Sequence, residues 1–235
     1  MGSLLRNIRR KLLASRRLRQ YIPYALGEIV LVVIGILIAL EINNLNEGRS
    51  RRHQEADIYR TIRQQVTEDQ LELEGVMGFN RYLTHAHERA NAIISARDTS
   101  KTDSLAVMAM MLSQYSDFHR DARIYGNLAV SGQLGLLENP EIPRALQRLE
   151  MTYTLVNKLE DLHWDVIINE LSPELRSVVN YNTLEAARPE RLFGLELQNI
   201  VVESIYLTKI KDSIYRKALS EITSLQGIID RQLAD

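Results

Sequence analysis

His53, His85, His87, His119 and His163 are the residues best suited to hold a metal or move a proton near neutral pH. Their spacing works against both roles. His85 and His87 are two positions apart, which turns them about 200° around a helix, so one face cannot offer both imidazoles to one ion. No histidine pair has the i, i+4 spacing of a zincin helix. The adjacent acids Glu68/Asp69 and Glu160/Asp161 stand in polar helical stretches and read as solvated faces rather than as acid–base pairs. No GxSxG elbow, phosphate loop or dinucleotide fingerprint is present. Ser131-Gly132 reads as a point of close helix packing, not as a nucleophile. The absence of cysteine excludes disulfides, thiolate chemistry and Cys-ligated zinc or iron–sulfur clusters. The expectation is therefore a protein that is not an enzyme, with no cofactor and no metal.

One carboxylate stands out by its surroundings. Glu28 precedes Ile29–Leu40 (IVLVVIGILIAL), and the 18 residues Ala25–Ile42 are interrupted only by Gly27, Glu28 and Glu41. At 1.5 Å rise per residue such a segment spans roughly 27 Å, close to a bilayer core. Its dozen Leu, Ile and Val residues favour insertion by on the order of 5 kcal/mol. Tyr21 and Tyr24 stand where an interfacial aromatic belt is expected. Seven cations (Arg6, Arg9, Arg10, Lys11, Arg16, Arg17, Arg19) against two acids give residues 1–43 a net +5, while residues 44–235 carry 22 Lys/Arg against 28 Asp/Glu, a net −6. A basic tail beside a greasy segment points to membrane lipids, not to nucleic acid. The positive-inside rule then places the N-terminus in the cytoplasm and the rest outside, although Arg49, Arg51 and Arg52 follow the span. Glu28, Val32, Gly35, Ala39 and Ile42 recur at steps of three and four, so they share one face of the helix. Gly35 and Ala39 would let another helix approach. Glu28 either snorkels to the headgroups or pairs with a partner.

The elements that follow are helical by period. Residues 44–54 are polar and read as a juxtamembrane linker. From Glu55, Ile58, Ile62, Val66, Leu73, Val76, Met77, Leu83 and Ile94 mark a helix, with Gly75 and Gly78 as points where it could kink or split. Asp98–Asp103 reads as a turn capping the next helix, and the Met-rich Leu105–Leu112 as core. Residues 121–138 look helical. Asn139-Pro140 starts a long helix that Ser172-Pro173 is expected to break, residues 181–194 read as loop, and Leu195–Leu233 is one long amphipathic helix. No alternating strand pattern occurs. The reading is all-α: a basic cytoplasmic tail (1–20), a transmembrane helix (21–43), the linker (44–54) and an extracytoplasmic antiparallel helix bundle (55–235).

Gly27-Glu28-Ile29 running through Leu31–Leu40 into Ile42-Asn43-Asn44-Leu45-Asn46-Glu47 resembles the G-E-I-x-L-V-V-I-G-I-L-I-A-L-x-I-N-N-W-N-E signature of a bacterial single-pass membrane family of unknown function. Tyr125–Leu128 with Ser131-Gly132-Gln133-Leu134 is similar to a second block of that family, Y-x-x-L-x-x-S-G-x-L. Leu45 departs from the pattern, standing where the family has Trp. The resemblance implies topology rather than chemistry, and it gives Glu28 weight as a partner-facing residue.

Together these readings lead to a non-enzymatic accessory or scaffolding subunit of a larger bacterial membrane complex, with an energy-transducing or photosynthetic assembly as one setting. Its partners would be membrane lipids and other integral-membrane subunits or further copies of itself. Its location would be the inner membrane, with the C-terminal domain periplasmic. The alternative is a sensor-like ligand-binding ectodomain that works with a separate output partner.

Overall fold

The computed structural model describes residues 16–118 and 124–234, with only the helical backbone described for residues 16–22. The chain divides into two compact units, residues 1–54 and 55–235. Helix α1 spans Arg16–Ser95 without interruption. It includes residues 44–54, expected as a linker; their Asn, Glu, Arg and Gln are compatible with helix, and Arg51 pairs with Glu47 one turn away at 3.0 Å. Nor do Gly75 and Gly78 split the helix. Each costs about 1 kcal/mol relative to alanine, which the neighbouring anchors Leu73, Val76 and Met77, packed into the core, outweigh.

Within residues 55–235, α1 is followed by a 3-10 turn (Thr99–Lys101) and α2 (Thr102–Leu112), then α3 (Ile124–Val130), a second 3-10 turn (Gln133–Leu136) and α4 (Glu141–Val166). Asn139 starts α4 by accepting the Glu141 amide on its side chain at 2.9 Å. Residues 121–138 are thus helical only in part, and Gly132 marks the interruption. It adopts φ +74° just past α3, and a Cβ there would meet nothing within 4 Å. Its role is a left-handed helix stop, not the close packing expected from Ser131-Gly132.

The expected break at Ser172-Pro173 is instead a widened π turn, Ile167–Leu171, leading directly into α5 (Ser172–Val178). Proline lacks the amide an α-turn would use and its ring clashes with the preceding turn; widening that turn by one residue relieves the clash. The expected loop at 181–194 contains half of a hairpin, Val179–Asn180 (β1) paired antiparallel with Glu185–Ala186 (β2), and the short α6 (Pro189–Leu192). The long last helix is α7 (Leu195–Ala234). Among the described residues these two strands form the only sheet, and the protein is all-α.

Two apolar cores lie along the same three helices. The first takes Ile58–Leu73 of α1, Ile142–Val156 of α4 and Tyr215–Ile229 of α7. The second takes Ala90 and Ile94 of α1, α2, Val166 of α4, the π turn, α5 and Leu197–Leu207 of α7. Between them each long helix contributes buried polar residues: Asn80 and His87 from α1, Glu160 and His163 from α4, Thr208 and Lys211 from α7.

Candidate functional site

The first unit presents its apolar run outward. From Pro23 to Glu47 every residue is exposed, including Val32 at 57% and Ile42 at 62%. α1 is the one helix among the described residues long and apolar enough to cross a membrane. Glu28, Val32, Gly35, Ala39 and Ile42 fall on one side of it by helical geometry, and a Cβ built on Gly35 meets nothing within 4 Å. The opposite side, with Val33, Leu37 and Leu40, is just as open, so exposure alone does not single out a docking face. Arg6, Arg9, Arg10 and Lys11 lie outside the described residues, as do the side chains of Arg16, Arg17 and Arg19.

The second unit holds a polar layer between its two cores, centred on Glu160 and Lys211, each about 1% exposed. Glu160 Oε1 accepts the Phe118 amide at 2.8 Å and the hydroxyl of Tyr215. Lys211 Nζ donates to the Ser116 carbonyl at 3.1 Å and lies 5.8 Å from the centre of the Tyr115 ring. The Ser116 hydroxyl donates to Asn80 Oδ1 at 3.0 Å and lies 3.2 Å from the Tyr215 hydroxyl. Asn80 Nδ2 donates to the Thr208 carbonyl at 2.8 Å. One chain of contacts thus ties α1, the segment after α2, α4 and α7. Next to it, the His87 and His163 rings lie 6.3 Å apart, and Tyr115 is edge-on to His163. His87 Nδ1 lies 2.8 Å from the Leu83 carbonyl. Among the described residues neither ring nitrogen of His163 has a hydrogen-bond partner, while the His87 ring also meets the Leu112 backbone.

Electrostatics follow from burial. Lys211 is pushed down to about 8, because losing water disfavours its charge more than Glu160 and Asp117 restore it. His163 is pushed down to about 3 by burial, then by the Lys211 charge and by His87. His87 is lowered too, chiefly by burial. The Tyr215 hydroxyl is raised, first by burial and then by Glu160, and stays protonated as a donor. The layer combines a carboxylate, an amine and two neutral imidazoles, but at this burial none of them meets a solute unless the helices part. As folded, its chemistry is internal: it fixes how three helices align, since any slip leaves buried polar groups unpaired.

The acid pairs need correction. Glu68 and Asp161 are exposed, but their neighbours Asp69 and Glu160 are fully buried. Consecutive helical residues are 100° apart, so a pair at the edge of a stripe sends one member inward. Asp69 accepts the Tyr153 hydroxyl at 2.9 Å and the Gln65 amide at 3.1 Å. Sequence reasoning missed the layer, although α7 carried a signal. The apolar series passes from Leu207 to Ala218 through positions 211 and 215, and steps of four and three put Lys211 and Tyr215 on the buried face. For the histidines the 200° argument holds: His87 is buried and His85 is exposed.

No curated protein and no solved structure matches the chain. One family model does match, over residues 28–202, from Glu28 in the apolar run to the first turns of α7. The chain belongs to the family described as a family of unknown function, DUF6090.

Proposed function

We propose that the chain is a membrane-anchored accessory or scaffolding subunit that works by docking to integral-membrane partners rather than by catalysis. In this reading α1 crosses the membrane near residues 21–43. The N-terminal tail lies against headgroups on the cytoplasmic side, and residues 55–235 form a helical bundle in the periplasm. The observation that carries it is the apolar run itself. Ile29–Leu40 is open on every side, so it needs an apolar environment from outside the chain. Lipid satisfies most of that surface; the Glu28 carboxylate and the bare backbone at Gly35 are better served by another helix. Its apolar character on every side also argues against a surface-lying amphipathic helix, which would carry one polar face.

The test is co-purification from native membranes. Gly35→Leu fills the proposed contact face and is expected to release a stoichiometric membrane partner, whereas Val33→Leu on the other side is expected to retain it. Glu28→Gln separates a neutral hydrogen bond, which it largely preserves, from an ion pair, which it breaks. Retention of the partner by Gly35→Leu overturns the docking face. Protease added to spheroplasts is expected to digest residues 44–235; their protection until the membrane is permeabilised would reverse the orientation.

A further inference from the structure

Tyr24, Gly27, Glu28 and Leu31 occupy positions i, i+3, i+4 and i+7 of α1. Four residues so spaced frame the hole that takes one side chain from a facing helix. Together with Pro23 they line an open groove on this helix. Gly27 forms its floor, since a Cβ built there meets nothing within 4 Å; Pro23 and Leu31 give apolar wall. Tyr24 and Glu28, one turn apart and both exposed, put an aromatic ring and a carboxylate on the same side of the hole. The residues that helical spacing brings beside Glu28 are Tyr24, Ala25, Leu31 and Val32, none of them a cation. No Lys or Arg occurs anywhere from Gln20 to Gly48. The nearest before Glu28 is Arg19, about 13 Å away along the helix axis. The helix therefore has no cation of its own at the level of its carboxylate.

We propose that this hole receives an arginine from the membrane helix of a different protein. The guanidinium pairs with the Glu28 carboxylate through two parallel hydrogen bonds and lies over the Tyr24 ring, while its methylene stem crosses Gly27 between Pro23 and Leu31. The inference rests on the docking reading above and names the chemistry of the partner. A second copy of this chain is the wrong occupant: two copies inserted in the same sense set Glu28 against Glu28, and neither brings a Lys or Arg to that level. Anionic lipid headgroups repel the carboxylate as well. Arginine suits the hole better than lysine, because it is more weakly hydrated and its planar fork matches both the carboxylate and the ring.

The test is recovery of the co-purifying membrane partner from native membranes, with the amount of chain in the membrane fraction held equal. Glu28→Gln keeps the shape and removes the charge, and is expected to lower recovery by about tenfold or more, as loss of one member of a desolvated charge pair does. Gly27→Leu fills the hole and is expected to act in the same direction. Tyr24→Leu removes the ring and is expected to cost about fivefold, whereas Tyr24→Phe keeps the ring and is expected to cost nothing. Glu41→Gln, at the far end of the apolar run and on the opposite side of the helix, is expected to have no effect. Glu28→Arg alone is expected to abolish recovery, and changing the partner's arginine to glutamate in the same cells to restore it. Full recovery with Glu28→Gln and Gly27→Leu, while Gly35→Leu still releases the partner, overturns this inference and leaves the docking face standing. Retention of the partner by all three variants, or no stoichiometric membrane protein with the parent chain, overturns both. A partner whose membrane helices hold no arginine near the cytoplasmic interface overturns the inference, as does a purified chain that carries lipid amines in place of a protein and loses them in Glu28→Gln.

Discussion

Glu28 and Glu160 are two carboxylates in opposite kinds of wrong place. Glu28 sits at the edge of an apolar run of α1 that is open on every side, and Glu160 sits inside a core closed to water. Glu160 is met within the chain by the Phe118 amide and the Tyr215 hydroxyl, with Lys211 among the groups sensing its charge. For Glu28 no partner within the chain is present among the described contacts. The difference shows where each region must look for its solvent. Residues 55–235 supply their own apolar medium and their own polar partners; the exposed stretch 23–47 of α1 supplies neither and depends on surroundings outside the chain.

The largest effect that tests this contrast is at Glu160. Glu160→Ala strips the acceptor from two buried donors and leaves Asp117 alone to offset the Lys211 charge, an expected loss of about 3–5 kcal/mol in urea unfolding of the full chain in detergent. Glu28→Ala is expected to leave that unfolding unchanged. A Glu160→Gln/Lys211→Met double variant removes both charges and keeps an acceptor, so it is expected to be more stable than the sum of its single variants implies. Equal losses from Glu28→Ala and Glu160→Ala would break the comparison.

Acid sharpens it next. His163 takes up a proton near 6.5 when unfolded but only at about 3 when folded, being buried beside Lys211, His87 and Tyr115. Its contribution is therefore complete above pH 6.5 and is lost as pH falls from there toward 3, by up to about 1.4 kcal/mol per pH unit. His87 acts in the same direction. Unfolding midpoints measured between pH 7 and 4 are expected to fall less steeply in His163→Leu than in the parent. An unchanged slope would mean that His163 reaches water.

The smallest effects concern glycines of opposite kind. Gly132 at φ +74° resists a side chain whatever the space around it, and Gly132→Ala is expected to cost about 1 kcal/mol. Gly75→Ala, in the interior of α1 with open space around it, is expected to stabilise by about 0.5–1 kcal/mol. Melting temperatures moving the same way in both variants would contradict one of the two backbone assignments.

Much of the fold was legible because it rests on local periodicity. The apolar run, the helix from Glu55, the Asn139 start and the unbroken last helix all follow from residues within a few turns of one another. The sequence overstated the breaks, because Gly75, Gly78 and Pro173 carry costs that tertiary contacts or a widened turn absorb. The polar layer was hidden for a different reason. Whether Glu160 or Asp161 turns inward, and whether Lys211 meets solvent or the Ser116 carbonyl 95 positions away, depends on which helices face each other. Helical period determined by itself that this chain makes long helices and that one of them is greasy all round. Only the tertiary structure decided which charges are buried, because burying a charge requires a partner, and these partners come from segments remote in sequence.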